Sequence, residues 1–369
     1  MNTKRNQTFN YLYFLAIIMV IDDHCNTSIN ILANIFPYNS FYMPLFVFCS
    51  GYFFKEMPLK QFLVHKTKKL FLPYLLWNIT ALFVASLIDF IIGTKWAVKL
   101  SISDFFRMLF HSSPTSINGA SWFVIMLFWV SICYGLIRKI VTSSKMKDFC
   151  LTILFTILGI ISVSICINNN LIYTNIIDQM IISACKILFY IQFYNLGYIF
   201  KKYIEKNIAS SNKFIIASIC IITNIILLVL YGDKINFYST SNMEGFNSCI
   251  LPLITSLTGI TFYYTTMSFL SQKIGSLKII DFVSQNTFII LETHLLFINI
   301  PNLYIYLLAK NGVSKYADFP IQEFLDNAWV RYNSNACLIG FLCGIIGSFI
   351  SIGIFILLKK KVFQIIRRG

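Results

Sequence analysis

The sequence predicts an all-α membrane protein: about ten transmembrane helices in one bundle, with both termini in the cytosol. Three observations carry that prediction. Of the 369 residues, 57% are hydrophobic and only 12% charged, against about 25% charged in an ordinary soluble chain. Apolar runs of about 18 residues or more recur from end to end, each long enough to cross roughly 30 Å of hydrocarbon as a helix. Lys and Arg concentrate in every second connection, which is the positive-inside pattern and requires an even number of crossings. The net charge of +15 follows from that pattern, so nucleic acid is excluded as a partner. Residues 1–369 read as a single membrane domain with no soluble domain. No cleavable signal peptide is expected, because the first apolar run lacks a small-residue cleavage site.

In order, the spans are read at 9–29, 36–54, 70–92, 119–138, 149–167, 179–200, 214–231, 247–269, 279–299 and 336–358. The basic connections hold Lys4 and Arg5; Lys55, Lys60, Lys66, Lys68 and Lys69; Arg138, Lys139, Lys145 and Lys147; Lys201, Lys202, Lys206 and Lys213; Lys273 and Lys278; and Lys359 to Lys361 with Arg367 and Arg368. Two long connections lie on the other side. Residues 93–118 contain the turn-rich "HSSPTSING". Residues 300–335 contain "NLYIYLLAKNG" and "IQEFLDNAWVRY", read as short amphipathic pieces at the interface or dipping back into the protein. The ten Cys are scattered with no CxxC pair and read as small buried hydrophobes. No metal site is expected.

Ionisable residues inside a membrane are functional candidates by default. Six stand out: Asp22, Asp23, His24, Lys186, Glu292 and His294. With a helix starting near residue 9, His24 lies about 22 Å along it, in the outer half of the bilayer. Tyr13, Ile17, Val20 and Ser28 share its face. Asp22 and Asp23 face elsewhere. They are either a wet helix end or a carboxylate reaching His24 through a loosened turn. In the second span, "FYMPLFVFCSGYFFK" places Ser50 and Gly51 as either a packing notch or a close approach for a ligand. The five-Lys stretch "KEMPLKQFLVHKTKKLFLPY" either anchors the chain at the membrane surface or holds a polyanion such as the phosphates of coenzyme A. Gln285, Glu292 and Asn299 recur every seven residues and form one polar stripe, facing a cavity or hydrogen-bonding between helices. His294 faces about 200° away from Glu292. Lys186 is read as the partner of an acid such as Asp178 or Glu292. Gly340, Gly344, Gly347 and Ser351 form a small-residue packing face.

These pieces, in this order, resemble the acyltransferase-3 family of integral membrane acyltransferases, most closely the branch of fucose and polysaccharide O-acetylases. The first-span His of the family is matched by His24. Its Pro-Leu-Phe-Phe…Ser-Gly-Tyr pattern is matched by Pro44, Leu45, Phe46, Ser50, Gly51 and Tyr52. A basic run leading to Pro-Tyr is matched by Lys66, Lys68, Lys69, Pro73 and Tyr74. Trp122 and Phe123 match a Trp-Phe pair, and "LETHLLF" around His294 matches a late element. One departure stands out: the basic residue the family often carries eleven positions before the His is Tyr13 here.

The resemblance implies an acyl-CoA donor, most simply acetyl-CoA, used as a co-substrate rather than a tightly bound cofactor. It implies a hydroxyl of a cell-surface polysaccharide or its lipid-linked precursor as acceptor, in the cytoplasmic membrane of a bacterium and in the setting of capsule or exopolysaccharide synthesis. His24 would be the general base or transient acyl carrier, with Asp23 orienting it. Ser50 and the Gly51 backbone would help bind the thioester oxygen. Trp122, Glu292 and His294 would contact the acceptor, while Lys66, Lys68, Lys69 and Tyr13 would hold the donor. Direct transfer and an acyl-His intermediate both fit. The rival readings are a glycolipid transporter or flippase, against which stands the absence of two related halves, and a polysaccharide polymerase.

Overall fold

The computed structural model describes residues 6–25, 27, 32, 35–36, 38–97, 101–110, 115–169, 171, 175–232 and 241–368. Helices dominate: α1 (Gln7–Cys25), α2 (Tyr38–Tyr52), α3 (Leu59–Lys66), α4 (Leu72–Ile92), α5 (Ile102–Phe110), α6 (Trp122–Ile140), α7 (Lys145–Asn168), α8 (Ile176–Ile199), α9 (Glu205–Ser210), α10 (Lys213–Tyr231), α11 (Leu251–Ile274), α12 (Lys278–Gln285), α13 (Thr287–Ile298), α14 (Ile300–Lys310), α15 (Ile321–Asp326) and α16 (Ser334–Arg368). A π-turn at Thr67–Phe71 joins α3 to α4, a second at Phe200–Ile204 continues α8, and a 3-10 turn at Ser116–Ser121 leads into α6.

A helix lies under each expected span, though fewer than ten of them meet the length and hydropathy of a lipid-covered crossing. Among the described residues, seven helical stretches are long and apolar enough to cross a membrane: Leu59–Ile92, Ser116–Ile140, Lys145–Asn168, Ile176–Ile208, Lys213–Tyr231, Thr287–Lys310 and Ser334–Lys360. The expected spans at 9–29, 36–54 and 247–269 correspond to α1, α2 and α11, which fall outside that set. The reason is physical. α1 carries Asn10, Asp22, Asp23 and His24, α11 is rich in Ser and Thr, and α2 has only 15 residues. These three lie inside the bundle, where neighbouring helices rather than lipid cover them. The Lys213–Tyr231 span is only 11% buried and Ser116–Ile140 is 78% buried, so α10 is an outer helix and α6 an inner one.

The inner helices pack closely where they lack side chains. A Cβ at Gly51 would overlap the Tyr194 carbonyl, and one at Gly197 would overlap that of Phe48. α2 and α8 therefore meet backbone to backbone, a contact that small residues permit. The stripe on α16 does the same against α13, where Gly347 receives the Phe297 ring and Gly340 the Ile298 carbonyl.

The Lys-bearing connections gather at one end. Asn10 donates to Asp281 (2.6 Å), Tyr11 to the Gly275 carbonyl (2.9 Å) and Lys213 to Gln272 (2.6 Å). The long connections gather at the other end and fold into a cap with its own apolar core of Trp96, Ile117, Tyr306, Phe319, Phe324 and Val330. The Lys95 N–H donates to the Leu325 carbonyl (2.8 Å) and the Trp96 indole to that of Phe324 (3.0 Å), stapling the two connections together.

The ninth span needs correction. Asn286 is non-helical (φ −118°, ψ 15°), so α12 stops at Gln285 and α13 starts afresh. Gln285 thus leaves the stripe of Glu292 and Asn299. The membrane-length stretch is Thr287–Lys310, and the "NLYIYLLAK" expected at the interface is α14, its Pro301 in the first turn where a missing N–H costs nothing. "IQEFLD" is α15, dipping into the cap through fully buried Phe324.

Candidate active site

At the capped end, α1 and α13 bring two histidines together. His24 lies in the last turn of α1, with Nδ1 3.0 Å from His294 Nε2. His294 is fully buried, and its Nδ1 lies 2.9 Å from the Ile290 carbonyl one turn back. That carbonyl can only accept, so His294 Nδ1 carries the proton. In the neutral ring Nε2 is then the acceptor, and His24 must donate to it from Nδ1. His24 Nε2 is left with its lone pair, the state of a general base. Sequence spacing set His294 away from Glu292, as the structure has it, but gave no sign that the other side of α13 meets His24.

The aspartates beside His24 go to other partners. Asp23, half-buried, accepts from the Tyr42 hydroxyl at 3.0 Å, which ties α1 to α2. The residue that meets His24 is His294, where Asp23 was expected. Asp22 is not a wet helix end. It is only 2% exposed and accepts from the Thr27 hydroxyl.

Behind α13, Glu292 is buried and accepts from Ser121 at 3.0 Å. Asn78 of α4 donates to Ser121 (3.2 Å) and to the Tyr74 carbonyl (2.9 Å). The 3-10 turn at 116–121 and Glu292 thus share one buried polar cluster. Glu292 Oε2 and Asn118 Oδ1 are buried there, with the Asn118 amide set against the Glu292 carboxylate so that a turn of the amide pairs the two. Asn302 Oδ1, whose amide nitrogen holds the Val330 carbonyl at 2.8 Å, is buried with no hydrogen-bond partner among the described residues.

Residues 327–333 close this end. The Trp329 ring lies 5.4 Å from that of His24 and covers Gly119, where any Cβ would strike the indole. Arg331 donates from Nε to the His24 carbonyl (2.9 Å), and from Nη1 to Asn299 (3.2 Å), Ala328 (3.2 Å) and Val330 (2.9 Å). Burial pulls the Arg331 pKa down from the ordinary arginine value. The starting value is so high that the group stays charged at neutral pH. Neither Trp329 nor Arg331 was read as functional from the sequence. Both fall in a connection whose only visible signal was amphipathic patterning.

The other expected residues lie elsewhere. Trp122 opens α6 next to Ser121, with the Lys186 ammonium 5.4 Å from its ring. Lys186 itself donates to the Ser241 carbonyl at 2.8 Å rather than reaching toward Glu292. Ser50 donates back to the Phe46 carbonyl (2.9 Å). Ser50 and Gly51 stand eight and nine residues from Tyr42 along α2, about 12 Å further toward the Lys-rich end. They are therefore too far along the bundle to share a site with His24, and Gly51 packs against the Tyr194 backbone. Tyr13 is about 16 Å from His24 along α1 and pairs with the Phe46 ring at 5.9 Å.

At the Lys-rich end a cavity of about 340 Å³ is lined by Phe53, Phe54, Lys55, Phe62, His65, Lys66 and Lys69. The Lys66 ammonium donates to Tyr194 at 3.3 Å and lies 5.7 Å from the Phe62 ring. Lys68 is exposed and outside this lining. Aromatic walls with several cations suit a ligand that carries both a ring and phosphates.

The family model described as an acyltransferase domain matches residues 6–358. No curated protein and no solved structure matches the chain.

Proposed function

The chain belongs to the acyltransferase-3 family and is a membrane acyltransferase by that membership, and from this premise we propose that it moves an acetyl group from acetyl-CoA to a hydroxyl of a glycan. The donor binds at the Lys-rich end, which the positive-inside rule assigns to the cytosol. The acceptor is a cell-surface polysaccharide or its lipid-linked precursor, met at the capped end of a bacterial cytoplasmic membrane protein.

The observation that carries this reading is the 3.0 Å bond between His24 and His294. It fixes the His24 ring and leaves Nε2 unprotonated. That nitrogen takes the proton of the acceptor hydroxyl as its oxygen adds to the thioester carbonyl. It returns the proton to the sulfur as the thiol leaves. His294 orients the base, the part an aspartate plays in a serine-protease triad. It does so without bringing a second charge into the membrane.

The two ends support separate substrates. Lys55, Lys66 and Lys69 match the phosphates of coenzyme A, and Phe53, Phe54 and Phe62 match its ring. From Tyr52 back to Tyr42, α2 rises about 15 Å, which the long pantetheine arm would follow inward. Half-exposed Trp329, whose ring lies 5.4 Å from that of His24, offers a face for a sugar ring.

Labelled acetyl-CoA added to membranes that contain or lack the chain tests this. The expected result is label in the polysaccharide fraction only when the chain is present. Label that stays in coenzyme A, alongside glycan crossing the membrane at a chain-dependent rate, would replace the acyltransferase by a transporter.

A further inference from the structure

We propose that Arg331 is the oxyanion donor of acyl transfer, its open Nη2–H receiving the thioester carbonyl oxygen as that oxygen becomes an alkoxide. This rests on the reading of His24 as the base.

The geometry begins with restraint. Four hydrogen bonds from Nε and Nη1 hold the guanidinium plane, to the last turn of α1, to Asn299 at the end of α13 and to its own loop. A planar group fixed on one edge has a fixed direction on the other. Nη2 is that other edge, and it is buried without a hydrogen-bond partner among the described residues. A donor held in place and left open is what transition-state stabilisation needs, because nothing must reorganise as charge develops.

Charge makes the second argument. Among the described residues, Lys95, Arg107, Arg138 and Lys202 have carboxylates within 4 Å, and Arg331 has none. Its four acceptors are all neutral oxygens. A buried cation without an anion is unfavourable, and a transient alkoxide would supply the anion at the moment of reaction. Proximity makes the third. The Arg331 Nε bond is to the backbone of His24 itself, so the group that polarises the carbonyl is anchored to the residue that activates the hydroxyl.

The step balances without any further reactant. The acceptor O–H proton passes to His24 Nε2 as the C–O bond forms and the carbonyl π pair moves onto oxygen, facing Arg331 Nη2–H. The pair then returns, the C–S bond breaks, and the leaving thiolate takes the proton from His24. Ester and free thiol result.

The test compares wild type with Arg331→Gln and Arg331→Ala in membranes supplied with labelled acetyl-CoA. Turnover per folded molecule should fall about 10²–10³-fold, with the KM for acetyl-CoA nearly unchanged. Methylguanidine added to Arg331→Ala should restore part of the rate, since it can fill the vacated space with the same donor. A folded Arg331→Gln variant with turnover within about threefold of wild type overturns the proposal. So does a slow Arg331→Ala variant that melts earlier and gains nothing from methylguanidine, which would make the residue a loop anchor only. Wild type that transfers no label would instead overturn the acyltransferase reading itself.

Discussion

Arg138 and Arg331 are both taken out of water, at opposite ends of the bundle, and the fold treats them in opposite ways. Arg138 uses every guanidinium nitrogen: Nε on Tyr134 (2.9 Å), Nη1 on Asp148 (2.5 Å) and Nη2 on Asn195 (3.4 Å). Its charge is cancelled by Asp148, which also takes Lys202 (3.0 Å) and Tyr203 (2.7 Å). That closed network clamps α6, α7 and α8 together. Arg331 bonds only neutral oxygens and keeps one donor open, next to a histidine with an open lone pair. A closed network holds a fold, whereas an open one in a buried place waits for a ligand. The same residue type thus serves structure at one end and chemistry at the other.

Three variants put that contrast to the test. The largest effect is expected from Arg138→Met. It removes one partner of a buried pair and should cost about 3–5 kcal/mol of stability, read from denaturation in detergent. Turnover per surviving folded molecule should stay at the wild-type value. If turnover falls as well, the Lys-rich network is not purely structural and the contrast fails.

The next effect is expected from Lys66→Gln combined with Lys69→Gln, at the donor cavity. Loss of charge-assisted contacts worth about 1.5–3 kcal/mol each should raise the KM for acetyl-CoA by tenfold or more and leave kcat nearly intact. High salt should weaken wild-type donor binding in the same direction. An unchanged KM would move the donor site elsewhere.

The smallest effect is expected from Lys95→Ala in the cap. Lys95 and Gln322 hold the Asp326 carboxyl below its ordinary pKa. A depressed acid stabilises the fold above the unfolded value of about 3.9, and that stabilisation disappears as pH falls through the lower folded value. The pair is exposed and screened. Lys95→Ala should therefore melt only slightly earlier than wild type at neutral pH, and the gap should close in acid. A gap that widens in acid would show that Lys95 acts through something other than Asp326.

Much of the fold was legible because hydropathy and basic connections report directly on lipid and on the membrane potential. That α1, α2 and α11 lie inside the bundle was not legible, because hydropathy does not say whether lipid or protein covers a helix. The ninth span was misregistered because Asn286 breaks a helix without Gly or Pro, and because Pro301 sits in a first turn, where it starts a helix instead of ending one. His24 was legible as a costly polar residue at depth. Its pairing with His294 was not, since it joins residues 270 positions apart. Gly51 was misread because a small residue serves a ligand and a neighbouring backbone equally well, and only the Tyr194 carbonyl decides between them. Arg331 and Trp329 left no signal, because a loop residue acquires its role from what it folds onto.

The most direct test of the account is acetyl transfer by His24→Ala and His294→Gln in membranes, at matched abundance and melting temperature. His24→Ala should lose about 10²–10⁴-fold in rate. His294→Gln should fall between it and wild type, because the base survives but its tautomer and orientation are no longer fixed. A folded His24→Ala variant that acetylates the glycan at the wild-type rate would contradict it.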